Sequence, residues 1–279
     1  MRAVNPESSI RQIVRSSIEA FAGGFKARHV GQIDNPNGVI NMKIHNVFIK
    51  ALGEEIQYYA ALTRSFDSSL GNMLESMAIN IAGLFYEVHN DVEGPLYPEQ
   101  TRIIAELLEG YANRNNPITP AVAHYANIKN IDFSSETQIK RKISDYYLID
   151  LETNKHYLIE LKIGGDLDNK KARSEKESIF EQYAILSNTL GPEAEIYCYF
   201  ATAYNRFGEY KEWKQTRVLQ FFSKDELLIG KLFWNFVCCS DKGYDIVIDE
   251  YTNCSFIIKD ALQNIKEAYL HDGMQQTFD

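Results

Sequence analysis

No stretch of about 18 consecutive apolar residues occurs anywhere in the 279-residue chain, so no membrane-spanning helix is expected. The first residues, Met-Arg-Ala-Val-Asn-Pro-Glu, lack the apolar core of a secretion signal. Together these absences lead to the expectation of a cytoplasmic protein. Cysteine is scarce: Cys198, Cys238, Cys239 and Cys254 are the four present, and none has zinc-ligand spacing. Buried free thiols in a reducing compartment are the expectation, with adjacent Cys238 and Cys239 pointing in different directions. The six histidines do not cluster as metal ligands. Gly164-Gly165 makes no dinucleotide loop, and the chain has neither a Walker-type glycine loop nor a Gly-x-Ser-x-Gly elbow. Positive charge is also short. A net charge of −9 weakens any simple reading as a nucleic-acid binder.

That charge is unevenly spread. Residues 1–50 hold seven Lys and Arg against three Asp and Glu, and residues 137–179 hold nine against eight. An acidic exterior with a basic cleft is compatible with phosphate binding, because the local potential does the steering. The length and the apolar fraction of 45% suit a globular domain with insertions. No repeat, low-complexity tract or linker divides the chain, so residues 1–279 are expected to form one domain.

Periodicity predicts a helix over 7–22, with Ile10, Ile13, Val14, Ile18 and Phe21 in one stripe, ended by Gly23-Gly24. A turn follows at 34–38 and a helix at 42–62. Asp67-Ser68-Ser69 is expected to cap a helix from Leu70 to Val88, with further helices at 98–113 and about 119–127. Strands are expected at 137–143, 145–151 and 156–163, then a helix at about 170–188 and a buried strand at 195–201. A strand–helix–strand crossover of this length favours parallel pairing. Residues 217–222 read as a further strand, 224–239 as a helix, and 244–248 with 254–258 as a terminal strand pair. The fold class is α/β, a mixed central sheet flanked by helices.

The chemistry concentrates in one hairpin. Asp145 opens a strand, Glu152-Thr-Asn-Lys155 turns the chain, and His-Tyr-Leu-Ile-Glu160-Leu-Lys162 returns it. Strand side chains alternate faces, so Glu160 and Lys162 share one, and the hairpin brings Asp145 near them. Two carboxylates make a hard oxygen site suited to magnesium, and a lysine beside them can orient a water or neutralise a phosphate oxygen. These groups suit metal-dependent phosphodiester hydrolysis. The plainer alternatives are a turn aspartate at Asp145, a Glu160–Lys162 ion pair on an edge strand, and a solvated strand end at Lys162. An unpartnered acid in so apolar a strand is costly, which favours a partner for Glu160.

Ser144-Asp145 followed by Glu160-Leu161-Lys162 at a hairpin's end resembles the PD-(D/E)xK nuclease motif. The blocks Asp67-Ser-Ser-Leu-Gly-Asn-Met-Leu-Glu75, Gly164-Gly-Asp-Leu-Asp-Asn-Lys-Lys-Ala172 and Gly230-Lys-Leu-Phe-Trp-Asn-Phe236 resemble bacterial type II restriction endonucleases of the TdeIII-like group. The resemblance covers roughly residues 65–240. Serine stands where that family often has proline before the first aspartate. The resemblance implies a restriction-endonuclease-like core and Mg²⁺-dependent, sequence-specific cleavage of double-stranded DNA that leaves 5′-phosphates. It implies one or two Mg²⁺ on Asp145 and Glu160, Lys162 at the attacking water, and Glu75 assisting from the preceding helix. Palindromic sites are read by two-fold dimers, so a homodimer is expected, with a DNA methyltransferase as genetic partner. It also points to a GC-rich interrupted palindrome as the site.

Cations near this core are candidate DNA contacts. Lys170, Lys171 and Arg173 sit in a helix's first turn, where the dipole opposes them and a bound phosphate would explain them. Arg206, Lys211, Lys214 and Arg217 alternate with aromatics in a segment suited to a DNA groove; an ordinary surface hairpin and a solvated helix face are the alternatives. Asp166 and Asp168 are expected as helix caps, and Glu181 and Gln182 near the site. The rival functions are a structure-selective repair or recombination nuclease on the same fold and a non-catalytic DNA-binding module.

Overall fold

The computed structural model of the protein describes residues 5–129 and 137–275. In chain order the elements are α1 (Pro6–Val30), α2 (Val47–Lys50), α3 (Glu54–Ala82), β1 (Tyr86–Leu96), α4 (Pro98–Ala112), α5 (Tyr125–Lys129), β2 (Gln138–Asp150), β3 (His156–Leu161), α6 (Asn169–Leu190), β4 (Ile196–Thr202), α7 (Thr216–Leu219), β5 (Leu227–Ile229), α8 (Lys231–Val237) and α9 (Gly243–Gln275). They gather into two compact units. One takes the residues between Ala78 and Tyr244, the other those up to Met77 and from Asp245 onward. No helix among the described residues is long and apolar enough to cross a membrane.

The first unit is built on a sheet of order β1-β2-β3-β4-β5. The β1/β2 and β2/β3 pairs are antiparallel, and the β3/β4 and β4/β5 pairs are parallel. The sheet is therefore mixed and flanked by helices, the α/β class expected. The crossover through α6 gives the expected parallel pair, Leu158 beside Cys198 and Glu160 beside Phe200. On one face, Tyr147, Leu158 and Phe200 join Ile179, Phe180 and Ala184 of α6 in a buried core. On the other, Tyr157 stacks edge-on against Phe236 of α8 and Tyr146 against Phe233.

Four sequence expectations change in this unit. The helix expected to reach Val88 ends at Ala82, and 86–96 is an edge strand. Its buried positions alternate as Val92, Gly94 and Leu96, but a register shift between His89 and Asp91 breaks the period, and acids occupy its exposed face. Gly94 is required there, because a Cβ would strike Thr189 and Ile185 of α6. The strands expected at 137–143 and 145–151 are one strand, β2. Where a strand was expected at 217–222, residues 216–219 are helical; the strand falls instead at 227–229, inside a stretch read as helix, before Gly230 at φ 53 restarts a helix as α8.

The second unit is helical. Asn5 caps α1 by accepting from the Ser8 N–H at 3.3 Å, with Pro6 in the first turn. Gly23 and Gly24 do not end this helix. Each costs about 1 kcal/mol against alanine, but the buried stripe continues through Ala22, Phe25 and His29, and packing outweighs propensity. The helix expected over 42–62 is broken by Gly53, φ 92, into a short turn of helix and the start of α3. Asp67-Ser68-Ser69 caps nothing, because α3 runs straight through it. The expected terminal strand pair is also helix: Val247, Cys254, Ile258, Ala261 and Ile265 are buried at helical spacing in α9. Phe25, Ile40, Tyr58, Ala61, Leu62 and Ile265 form the core of this unit. Arg11 reaches Asp249 at 2.6 Å and Arg15 reaches Glu250 at 2.9 Å. All four cysteines are free; Cys238 is buried beside exposed Cys239.

Candidate active site

The β2–β3 hairpin turns on Asp150, whose Oδ1 accepts the Glu152 and Thr153 N–H groups at 2.7 and 2.9 Å, with Asn154 at φ 55. This turn sets the register, and Tyr146 lies opposite Ile159. Asp145 is one step further and comes level with Glu160. Beyond that step the ladder gives out, and the Asp145 carboxylate takes over by accepting the Leu161 N–H at 3.0 Å. The other edge of β3 is held by β4, where the Lys162 N–H donates to the Ala201 carbonyl at 3.0 Å. The end of the central strand is thus pinned from both sides.

Parity along β3 places Glu160 and Lys162 on the face that α6 covers. There the Lys162 ammonium donates to Glu160 Oε1 and stands 3.7 Å from Asp145 Oδ2 and 3.4 Å from Glu175 Oε1. Asp145, Glu160 and Lys162, expected together from the hairpin, do meet. Glu175, a fourth member, was not expected. It lies on α6 four residues before buried Ile179, and that spacing alone marks it as inward-facing. Glu181 and Gln182 of the same helix bind the adjoining part of β2: Glu181 pairs with Lys142, and the Gln182 amide donates to the Ile143 carbonyl at 3.2 Å.

Glu160 is 7% exposed, whereas Asp145, Lys162 and Glu175 are 22–30% exposed. Burial pushes the Glu160 carboxyl up to about 9, and the charges of Asp145 and Glu175 add to this against the pull of Lys162. Burial opposes the charge on Lys162, yet Glu160, Asp145 and Glu175 outweigh it and hold the ammonium above the ordinary lysine range. Fully ionised, three carboxylates facing one ammonium leave a formal charge of −2. Such a cluster has room in its charge balance for a divalent cation, and its carboxylate oxygens are the donors Mg²⁺ prefers. No three acidic, histidine or cysteine side chains among the described residues are already drawn into a cation cage; at present the ammonium lies among the acids.

Glu75 is half-buried on α3, in the part of that helix belonging to the helical unit. Asp168 caps α6 by accepting the Lys171 N–H at 2.8 Å, and Lys170 and Lys171 are exposed in its first turn, with Arg173 half-buried. Asp166 instead pairs with Arg206 at 2.5 Å, and the charge of Arg217 also acts on it. Lys211, Lys214 and Arg217 are exposed. The loop after Lys162 is held close to this second basic segment: a Cβ on Gly165, at φ 61, would strike Trp213 and Thr202. Of the cations proposed from sequence, Arg206 and Arg217 therefore act on the loop that leaves β3.

Two searches, of curated proteins and of solved structures, return no match to this chain. The family model described as type II restriction endonuclease, HinfI, matches residues 7–255, which include all of these residues. The match reaches the type II class expected from the sequence without singling out the TdeIII-like group.

Proposed function

Because the chain belongs to the HinfI family of type II restriction endonucleases, we propose that it cuts double-stranded DNA at a specific sequence through Asp145, Glu160, Lys162 and Glu175. The reading is a PD-(D/E)xK site, with Ser144-Asp145 as its first element and Glu160-Leu161-Lys162 as its second. The TdeIII-like likeness of the blocks at 67–75, 164–172 and 230–236 belongs to the same reading.

Asp145 and Glu160 would hold one or two Mg²⁺. When bound, the ion would polarise the scissile phosphate and make a water nucleophilic near neutral pH. Lys162 orients that water and offsets charge developing on the phosphorus oxygens. Glu175 is a positioning residue that holds the ammonium toward the two ligands. In-line attack leaves 5′-phosphate and 3′-hydroxyl ends. Lys170, Lys171 and Arg173 take backbone phosphates, while Arg206, Lys211, Lys214 and Arg217 reach toward the groove. The working form is a homodimer on a two-fold site, and a methyltransferase protects the host's own copies of it.

The observation that carries this reading is the meeting of Asp145, Glu160 and Glu175 around Lys162 at the end of the central strand. Supercoiled plasmid incubated with Mg²⁺ tests it, with end-sequencing of the products. Discrete fragments with one shared end sequence and 5′-phosphates, lost on chelation with EDTA, are the expected result. Cutting that persists in EDTA removes the metal from the reading. Intact plasmid at high enzyme concentration removes the reading itself.

A further inference from the structure

The helical unit has a cleft of about 500 Å³, open to solvent, that the cleavage chemistry does not use. Three cations line it: Arg28 from α1, Lys43 from the turn before α2, and Arg64 from α3. Ser65, Ser68 and Ser69, successive hydroxyls along α3, line the same wall, and Arg28 Nη2 donates to Ser69 Oγ at 3.2 Å. No acid is among the lining residues. Among the described residues, none of the three cations has an ion pair with an acid. Asp67, one turn from Arg64, lines a neighbouring hollow that Arg64 also borders, without an ion pair between them. In a chain of net charge −9, three uncompensated cations in one concavity are a local reversal of sign.

Cations and hydroxyls converging without an acid are the donor set that proteins offer to phosphate oxygens. Apolar Val39 and Met42 complete the walls. A cleft lined by one sign of charge and walled by low-dielectric groups focuses field and draws in counter-ions. We infer that Arg28, Lys43 and Arg64 form a second phosphate-binding site, which grips the DNA backbone without reading bases. The inference takes its partner from the DNA-cleaving function, but it uses none of the residues of the acidic cluster. A polymer of phosphates fits an open cleft better than an enclosed mononucleotide would. It also gives the acidic chain a means of holding a polyanion outside the cleavage unit.

The test is fluorescence anisotropy with a labelled duplex in Ca²⁺, across a NaCl series, for the wild type and Lys43→Gln/Arg64→Gln. Each phosphate contact makes the slope of log K against log salt about 0.9 more negative. The double variant should make that slope shallower by roughly 1–2 and weaken binding at least about tenfold, equally on specific and random duplexes. The charge-conserving Lys43→Arg/Arg64→Lys should keep the wild-type slope, which separates loss of charge from loss of fold. An unchanged slope in the glutamine variant overturns the inference, as does a loss confined to the specific duplex. A wild type that binds no duplex at all overturns the proposed function instead.

Discussion

Replacing Glu226 with glutamine tests the buried pair that anchors α6 beside the acidic cluster. Lys176, next to Glu175 on that helix, is 1% exposed, and so is Glu226. The ammonium binds Glu226 Oε1 and the Tyr125 hydroxyl, the latter at 3.2 Å. It lies 4.4 Å from the Phe180 ring centroid and 4.9 Å from that of Phe222. The other oxygen of Glu226 accepts the Ser223 N–H and Oγ–H, each at 2.9 Å. Breaking a buried pair on one side costs about 3–5 kcal/mol. That loss, at about 2–4 °C for each kcal/mol, lowers the melting temperature by roughly 6–20 °C. The pH dependence carries a sign. Burial already holds Lys176 below the ordinary lysine range against the pull of Glu226, and glutamine removes that pull. The unfolded chain then binds the proton more tightly than the folded one, so stability rises with pH up to the unfolded value of about 10.4. Circular dichroism melts of Glu226→Gln should show the deficit greatest near pH 7 and shrinking by pH 9.5. Lys176→Met/Glu226→Gln should recover part of it at neutral pH. A melting temperature within about 2 °C of wild type at pH 7, or a deficit that widens with pH, refutes the reasoning.

Lys162→Ala and Glu160→Ala should each slow single-turnover cleavage by about 10³-fold or more with the fold preserved; near-wild-type rates would remove either residue from the chemistry. Glu175→Gln should reduce kcat by roughly 10–100-fold, the usual scale for a group that orients its neighbours, and leave the Mg²⁺ midpoint in place; an unmoved kcat would discard the positioning role. In the helical unit, Arg15 holds Glu250 below the usual carboxylate range, helped by Arg11. Its contribution is therefore complete above the unfolded value of about 4.3 and disappears as pH falls through the lower folded value. Acid unfolding of Glu250→Gln should accordingly be less steep than that of the wild type, and superimposable acid transitions would count against the pairing.

The meeting of Asp145, Glu160 and Lys162 was legible in the chain because it is local. Fifteen residues separate Asp145 from Glu160, the Asp150 turn sets the register between them, and a period of two assigns Glu160 and Lys162 to one face. The α6 crossover and the parallel β3/β4 pair followed from apolar pattern and connection length. What failed was whatever depends on partners remote in sequence. Strand β1 is polar and interrupted by a register shift, and its identity comes from a ladder with β2, whose members lie 42 to 64 residues away. The β-branched run at 244–248 looks like strand until packing selects the stripe through Val247, Cys254, Ile258 and Ile265. Gly23-Gly24 yields to a buried face that continues past it. Glu175 joined Lys162 only once α6 was laid across the sheet, and Lys176 found Glu226 in the same way. Local spacing therefore determined which groups meet at the end of the hairpin. Tertiary packing decided which further charges surround them, because the worth of a buried charge depends on neighbours that the chain order does not name.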